Sequence, residues 1–210
     1  MRILAIGAHP DDIEIGCGGT LSLLRDNGHH ISLMVVTDGS MGGSLKTRRK
    51  EMEKSAKHLK ADLYWGGYKD TSIPLNKGLI TKIENIIKKV KPDITFTHFF
   101  GDTHQDHRKI SQATTSASRY LRNVLYFEVP TTVDYNPSVF VDISSKIKEK
   151  ERLLHIHDSQ VYRTNVPNLS IIESMRSCAI FRGYQNRIKY AEGFVPLRLS
   201  LEIVQSGMIK

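Results

Sequence analysis

The 210-residue chain is poor in cysteine: Cys17 and Cys178 are the only two, far apart and in no ligand-like pair. That argues against a disulfide framework and favours a reducing compartment, the cytoplasm. No apolar run approaches the ~20 residues of a membrane span. The N-terminus carries Arg2, then the apolar run Ile3–Ala8, and no cleavage-like site, so a signal peptide is not expected. Repeats, low-complexity segments and long linkers are missing too, and one domain over residues 1–210 is expected. The formal net charge is +8, yet the basic residues are scattered over 46–50, 82–91, 146–152 and 182–189. Aromatics do not interleave with them as a stacking platform requires, which argues against nucleic acid as partner.

What is present is alternation. Ile3–Ala8 is an unbroken apolar run, as a strand buried on both faces is, and Ile31–Thr37 (ISLMVVT) reads as a second buried strand. Shorter strands are expected at Leu63–Trp65, Ile94–Phe99, Val124–Phe127, Val139–Asp142 and Leu197–Val204. Helical periodicity is expected over Cys17–Asn27, Thr47–Leu59 (Met52, Ala56 and Leu59 in register), Leu79–Val90, His107–Leu121, Ser144–His157 and Asn168–Asn186. Strands separated by helices of this length imply βαβ units and a mainly parallel sheet, an α/β three-layer sandwich. In such sheets ligands bind beyond the carboxyl ends of the strands. Those loops hold His9-Pro10-Asp11-Asp12, Thr37-Asp38-Gly39-Ser40 and His104-Gln105-Asp106-His107.

The segment AHPDDIEIGCGGT (Ala8–Thr20) joins acids and glycines at the mouth of the first strand. A dinucleotide fingerprint needs its glycines immediately after the strand, so that backbone N–H groups face a pyrophosphate. Here HPDDIEI intervenes, and Asp11, Asp12 and Glu14 would repel a phosphate. GxxxxGK[ST] occurs nowhere. A nucleotide-binding α/β module is thus the weaker reading. A metal is the stronger: His9 and Asp12, three apart across a tight turn, can face one ion. A third ligand must come from another loop, and His104–His107 sits on the same sheet edge. Asp106 could also simply cap the helix that follows. Cys17 reads as a small buried hydrophobe, His98 as a satisfied core histidine.

Ala8–Thr20 resembles the opening segment A-H-[PA]-D-D-x-E-x-G-x-G-G-T of the PIG-L / LmbE-like family of zinc-dependent N-acetylglucosaminyl deacetylases. His104–His107 matches its later H-x-D-H, with Gln105 where Pro is usual. Thr37-Asp38-Gly39, the pair Arg48 and Glu51 with Arg49 adjacent, Ala56 and Leu59, Phe140–Ser144, His157–Gln160 and Tyr190–Phe194 extend the likeness over nearly the whole chain. Lys60 stands where that family usually has Gly.

The resemblance implies a Rossmann-like fold, with zinc held by His9, Asp12 and His107. It implies Asp11 as general base and His104 as the imidazole facing the reacting carbonyl. The reaction implied is removal of an N-acetyl group from an amino sugar, a GlcNAc-type conjugate. On that reading Asp106 orients an imidazole and favours protonated His104, Arg48 reaches sugar hydroxyls or an anionic aglycone, and Asp38 is a further substrate contact. His157 and Ser159 are expected as structural or subunit-contact residues. A homo-oligomer, trimer or hexamer, is implied as well. The ligand types also suit other divalent ions such as Fe2+. An alternative substrate is another amide, an acylated glycopeptide or an amino-acid conjugate.

Overall fold

A computed structural model describes residues 1–200. Its strands are β1 (Arg2–Gly7), β2 (His30–Thr37), β3 (Asp62–Tyr68), β4 (Ile94–His98), β5 (Val124–Phe127), β6 (Val139–Asp142) and β7 (Ala191–Arg198). Its helices are α1 (Asp12–Asp26), α2 (Leu45–His58), α3 (Lys77–Val90), α4 (Gln105–Ala117), α5 (Ile147–Ile156) and α6 (Ile171–Gln185). The strands form one sheet in the order β3-β2-β1-β4-β5-β7-β6. β1 to β5 pair in parallel, and β7 runs antiparallel between β5 and β6.

The pleat of β1 explains the layers. Ile3 and Ala5 pack with Leu21, Met52 and Leu153 of α1, α2 and α5. Leu4 and Ile6 point the other way, onto Leu79, Ile83, Ile110 and Ala113 of α3 and α4. Both faces are therefore buried, and the expected three-layer α/β sandwich with a mainly parallel sheet is what forms. Among the described residues no helix is long and apolar enough to cross a membrane.

Two elements differ from the sequence expectation. α1 starts at Asp12 rather than Cys17 and runs through the glycines, with a break at Cys17 (φ −144°, ψ 17°). A break orphans backbone groups, and these find partners across the fold. Lys150 Nζ donates to Ile15 O at 2.7 Å, while the Glu192 carboxylate accepts from Gly19 N and Thr20 N at 2.9 and 2.7 Å. Gly16 is required for close approach to the sheet: a Cβ there would lie 2.2 Å from the Phe127 ring. Cys17 is fully buried in the core, as expected of a small hydrophobe. The second difference is the last strand, which is Ala191–Arg198 rather than Leu197–Val204. Gly193 and Pro196 inside it disguise the strand, and residues 201–204 of the expected one lie outside the described residues.

Strand order reverses between β1 and β4, since β1 leads to β2 on one side and β4 to β5 on the other. The loops leaving their carboxyl ends diverge there and leave a crevice.

Candidate active site

The β1 loop is fixed before it reaches the crevice. Ala8 O accepts from Thr37 N and Thr37 Oγ1, both at 2.8 Å, and Ala8 N donates to His98 Nε2 at 3.1 Å. Asp12, first residue of α1, accepts the His9 N–H through Oδ2 at 2.7 Å and so turns the chain back on itself. In the β4 loop, buried Asp102 accepts the His104 N–H at 2.7 Å. His104 Nδ1 accepts the Asp106 N–H at 3.2 Å, capping α4, and the first turn of that helix presents His107.

These loops bring three predicted side chains together. His9 Nδ1 lies 3.1 Å from Asp12 Oδ2 and 3.2 Å from His107 Nε2, and His107 Nε2 lies 3.4 Å from Asp12 Oδ2. Tetrahedral ligation at ~2.0–2.2 Å places ligand atoms about 3.3–3.5 Å apart. The three donors fit one small divalent cation. Neighbouring groupings, His9/His104/His107, Asp12/His98/His107 and His9/Asp70/Asp106, also keep their ligand atoms within 4.8 Å of one another.

The outward nitrogens of both imidazoles face carboxylates. His107 Nδ1 is 3.2 Å from Asp102 Oδ2; His9 Nε2 is 3.0 Å from Asp70 Oδ1 and 3.6 Å from Asp106 Oδ2. A proton held there leaves the inner nitrogens free to ligate. The charges show how strongly the crevice attracts cations. Burial opposes protonation of His107, yet Asp12 and Asp102 push its pKa up to about 9. His9 is likewise raised against burial, by Asp12, Asp106 and Asp70. Against its own burial, Asp12 is held well below the usual carboxylate range by His107, His98 and His9.

Asp11 stands apart from this cluster. Its backbone is left-handed (φ 107°), a strained conformation for a non-glycine residue that persists only where its surroundings enforce it. Buried Arg48 does so: its guanidinium donates to Asp11 Oδ2 at 3.1 Å, to Gly39 O at 3.1 Å and to Pro10 O. Gly42 makes room, since a Cβ there would lie 2.2 Å from Arg48 Nη1. Burial pushes the Asp11 pKa up to about 6, with Arg48 opposing. The carboxylate is 15% exposed, toward a cavity of about 390 Å³ that His9, Asp12, Arg48, Asp70, His104 and His107 also line. Arg49 points elsewhere and pairs with Glu53 at 3.2 Å.

Other expectations need correction. The Asp106 carboxylate does not touch His104; it accepts the Thr71 N–H at 2.7 Å and faces His9. Since His104 Nδ1 is an acceptor, its proton sits on Nε2, and burial and His107 push its pKa down. Asp38 is bound up in loop structure, accepting from Ser40 N at 3.0 Å and Asp70 N at 3.2 Å, and does not line the cavity. His98 is fully buried, as expected of a core histidine, but it also stands behind the centre: Nε2 is 3.1 Å from Asp12 Oδ2, and the ring stacks on His107 at 4.1 Å. His157 lines the cavity, with Nε2 3.3 Å from buried Glu14. Ser159 braces α2, donating from N and Oγ to Glu51 at 2.9 and 2.7 Å.

Asp70 and Asp102 carry the arrangement and were not singled out from sequence. Both follow carboxyl ends of parallel strands, β3 and β4, which is the signal that could have found them.

Residues 4–118 match the family described as PIG-L, GlcNAc-PI de-N-acetylase. The chain is similar to the uncharacterized deacetylase YaiS of Escherichia coli K12, 35% identical over 153 residues that span 69% of this chain and 83% of that protein. It is also similar to diacetylchitobiose deacetylase of Thermococcus kodakarensis, 29% identical over 228 aligned positions that span 93% and 83% of the two chains. A structure of N,N'-diacetylchitobiose deacetylase from Pyrococcus horikoshii, complexed with its inhibitor MPG, superposes with a TM-score of 0.80 at 26% identity, covering 93% of this chain and 83% of that one.

Proposed function

The chain belongs to the PIG-L family of GlcNAc-PI de-N-acetylases, and from that premise we propose that it is a divalent-metal-dependent hydrolase removing the N-acetyl group of an amino sugar, a GlcNAc-type conjugate. One observation carries the reading: the mutual 3.1–3.4 Å spacing of His9 Nδ1, Asp12 Oδ2 and His107 Nε2, with a second, cavity-facing carboxylate beside them. Zinc suits the spacing and the donor types, and Fe2+ is compatible with the same set. When bound, the metal polarises the acetamide carbonyl and acidifies water.

The chain's own residues do the rest. Asp11 accepts the proton of the attacking water and passes it to the leaving nitrogen. A pKa of about 6 suits both tasks near neutral pH, because the carboxylate is mostly ionised yet its acid is strong enough to be reached and to give the proton up. Arg48 holds that carboxylate in its strained position and favours its ionised form. His104 offers Nε2–H to the carbonyl oxygen as it gains charge, a contribution typically worth ~3–4 kcal/mol. Asp102 and Asp70 orient His107 and His9. The cavity, about 390 Å³, is of a size for a sugar residue and part of its aglycone.

The test is acetate release from N-acetylglucosamine, diacetylchitobiose and other GlcNAc conjugates by metal-loaded protein. Release should stop with a chelator and return with Zn2+ or Fe2+. Asp11→Asn should keep the metal and lose about 10²–10⁴ in kcat, whereas His107→Ala should lose the metal itself. Cleavage of an acylated glycopeptide or N-acyl amino acid, with no release from any N-acetyl sugar, would overturn the substrate class.

A further inference from the structure

We propose that His157 is a specificity-determining residue that hydrogen-bonds, through Nδ1, the C3 hydroxyl of the amino sugar; the inference rests on the deacetylase reading above. His157 closes α5, and its backbone is already engaged: the N–H donates to Leu154 O at 3.0 Å and the carbonyl accepts from Gln160 N at 2.8 Å. The residue is 1% exposed and lines the cavity of the candidate active site. Nε2 lies 3.3 Å from Glu14 Oε1, and Glu14, fully buried, is held in turn by Ser55 Oγ. Nδ1 is enclosed and, among the described residues, has no hydrogen-bond partner. With Nε2 turned to Glu14, Nδ1 is the polar atom left for whatever fills the cavity. A buried imidazole nitrogen without a partner costs stability, so this is a position that a ligand can complete.

The surroundings select the group. Burial opposes protonation of His157, yet Glu14, Asp11 and Glu51 hold its pKa above the ordinary value. An anionic substituent would meet all three carboxylates, and an aliphatic one would leave Nδ1 stranded. A hydroxyl fits, since it accepts from Nδ1–H and keeps a proton to donate to a neighbouring carboxylate. Stereochemistry names the hydroxyl. The acetamide nitrogen sits on C2 and must reach Asp11, which lines the same wall close enough to His157 that the charges of the two act on each other. Groups beside Asp11 therefore meet C1 or C3. C1 carries the aglycone, which must leave through the mouth, where Gln160 and Arg163 continue into an outer cavity of about 570 Å³. A wall residue as enclosed as His157 has room only for the small substituent on C3.

The test uses the zinc-loaded full chain with methyl N-acetylglucosaminide and its 3-deoxy, 4-deoxy and 6-deoxy analogues, read as acetate release. Wild type should favour the parent over the 3-deoxy analogue by about 10- to 100-fold in kcat/KM, the size of one buried hydrogen bond to a charged or neutral donor. His157→Gln, whose amide overlays Nε2, should cut that preference about fivefold or more. His157→Asn, whose amide overlays Nδ1, should keep most of it. The preferences over the 4-deoxy and 6-deoxy analogues should not move, whereas a merely structural role would slow all four substrates alike and leave every ratio in place. A 3-deoxy analogue processed as well as the parent would mean that water, not substrate, satisfies Nδ1, and it overturns the proposal. A C3 preference as large in His157→Gln as in wild type overturns it too. Nitrogen-15 NMR of the wild-type histidines decides the question where the variants do not fold. The His157 Nδ1 resonance should shift on adding methyl glucosaminide and not on adding its 3-deoxy analogue; an equal response to both, or none, refutes the contact. If no substrate releases acetate, the deacetylase reading fails, and the same NMR comparison then decides for or against the His157 contact by itself.

Discussion

Replacing Arg48 with methionine should move the acid limb of the pH–rate profile upward by about one to two units. Asp11 must be ionised to accept a proton, so activity is full above its pKa and lost as pH falls through it. Burial raises that pKa to about 6, and the adjacent Arg48 guanidinium is the main charge holding it down. The guanidinium nitrogen lies 3.1 Å from the carboxylate oxygen, with the two side chains 5% and 15% exposed. Two unit charges about 4 Å apart at an effective dielectric near 20 attract by ~4 kcal/mol, or about three pKa units. The open cavity beside Asp11 screens part of this, which brings the expected shift to the lower figure. A bound cation lowers the limb in wild type and variant alike, so the difference between them isolates Arg48.

The assay is kcat/KM from pH 5 to 9 on one N-acetylglucosaminide, with metal content verified at each pH. Arg48 also ties down Gly39 O and Pro10 O, so its loss should depress the plateau as well. That component is independent of pH and is matched by Arg48→Lys, which keeps the charge but loses the fork. The lysine variant should therefore show a lower plateau with the limb close to that of wild type. If Arg48→Met lowers activity by the same factor at every pH, Arg48 does not act through the ionisation of Asp11, and the assignment of Asp11 as base loses its electrostatic support.

Three further outcomes follow from the same contacts. Asp102→Asn removes the acceptor that orients His107 and should weaken metal binding about 10–100-fold in chelator competition, with the fold intact by circular dichroism; unchanged affinity would leave Asp102 as a loop brace only. Metal affinity should climb about tenfold or more per pH unit from about 6.5 to about 9, because His107 must release a proton bound with a pKa of about 9, and a flat dependence across that window would contradict the ligand set. Lys150→Met strands the Glu192 carboxylate in the core and should cost ~3–5 kcal/mol in denaturant unfolding, toward the lower end since two backbone N–H groups still reach Glu192; a loss below ~1 kcal/mol would mean the pair does not stabilise the α1 break.

Sequence patterns revealed those parts of this protein whose cause is local. β1 and β2 are legible because burial on both faces forces mainly apolar runs. The choice between Arg48 and Arg49, open in the motif, is settled by the fold: the buried face of α2 carries Arg48, Glu51, Met52, Ser55 and Ala56, and Arg48 lies one turn before Met52 on that stripe. The start of α1 was not legible, since glycines read as loop and the groups that rescue the broken ladder, Lys150 and Glu192, arrive from α5 and β7. His98 was hidden for a related reason. It sits in the same buried strand that supplies core residues, and only the folded β1–β4 pairing sets it against Asp12.

The candidate site divides along the same line. His9, Asp11 and Asp12 share one turn, and His104 and His107 one helix start, so their chemistry is written in adjacent letters. The carboxylates that decide which nitrogen of each imidazole holds a proton come from elsewhere. Asp70 leaves β3, two strands from β1, and is itself held by Asp38, whose role is thus to fix a fixer. Asp102 precedes His104 but reaches past it to His107 because the α4 cap bends the loop. A ligand needs only to face the ion, which short-range spacing can ensure. A tautomer must be set from behind, by a group across the crevice, and that requires the sheet to have formed. Residues that only orient the ligands are consequently the ones a linear reading passes over, although a parallel sheet announces where they must lie: at the carboxyl ends of strands flanking the switch point.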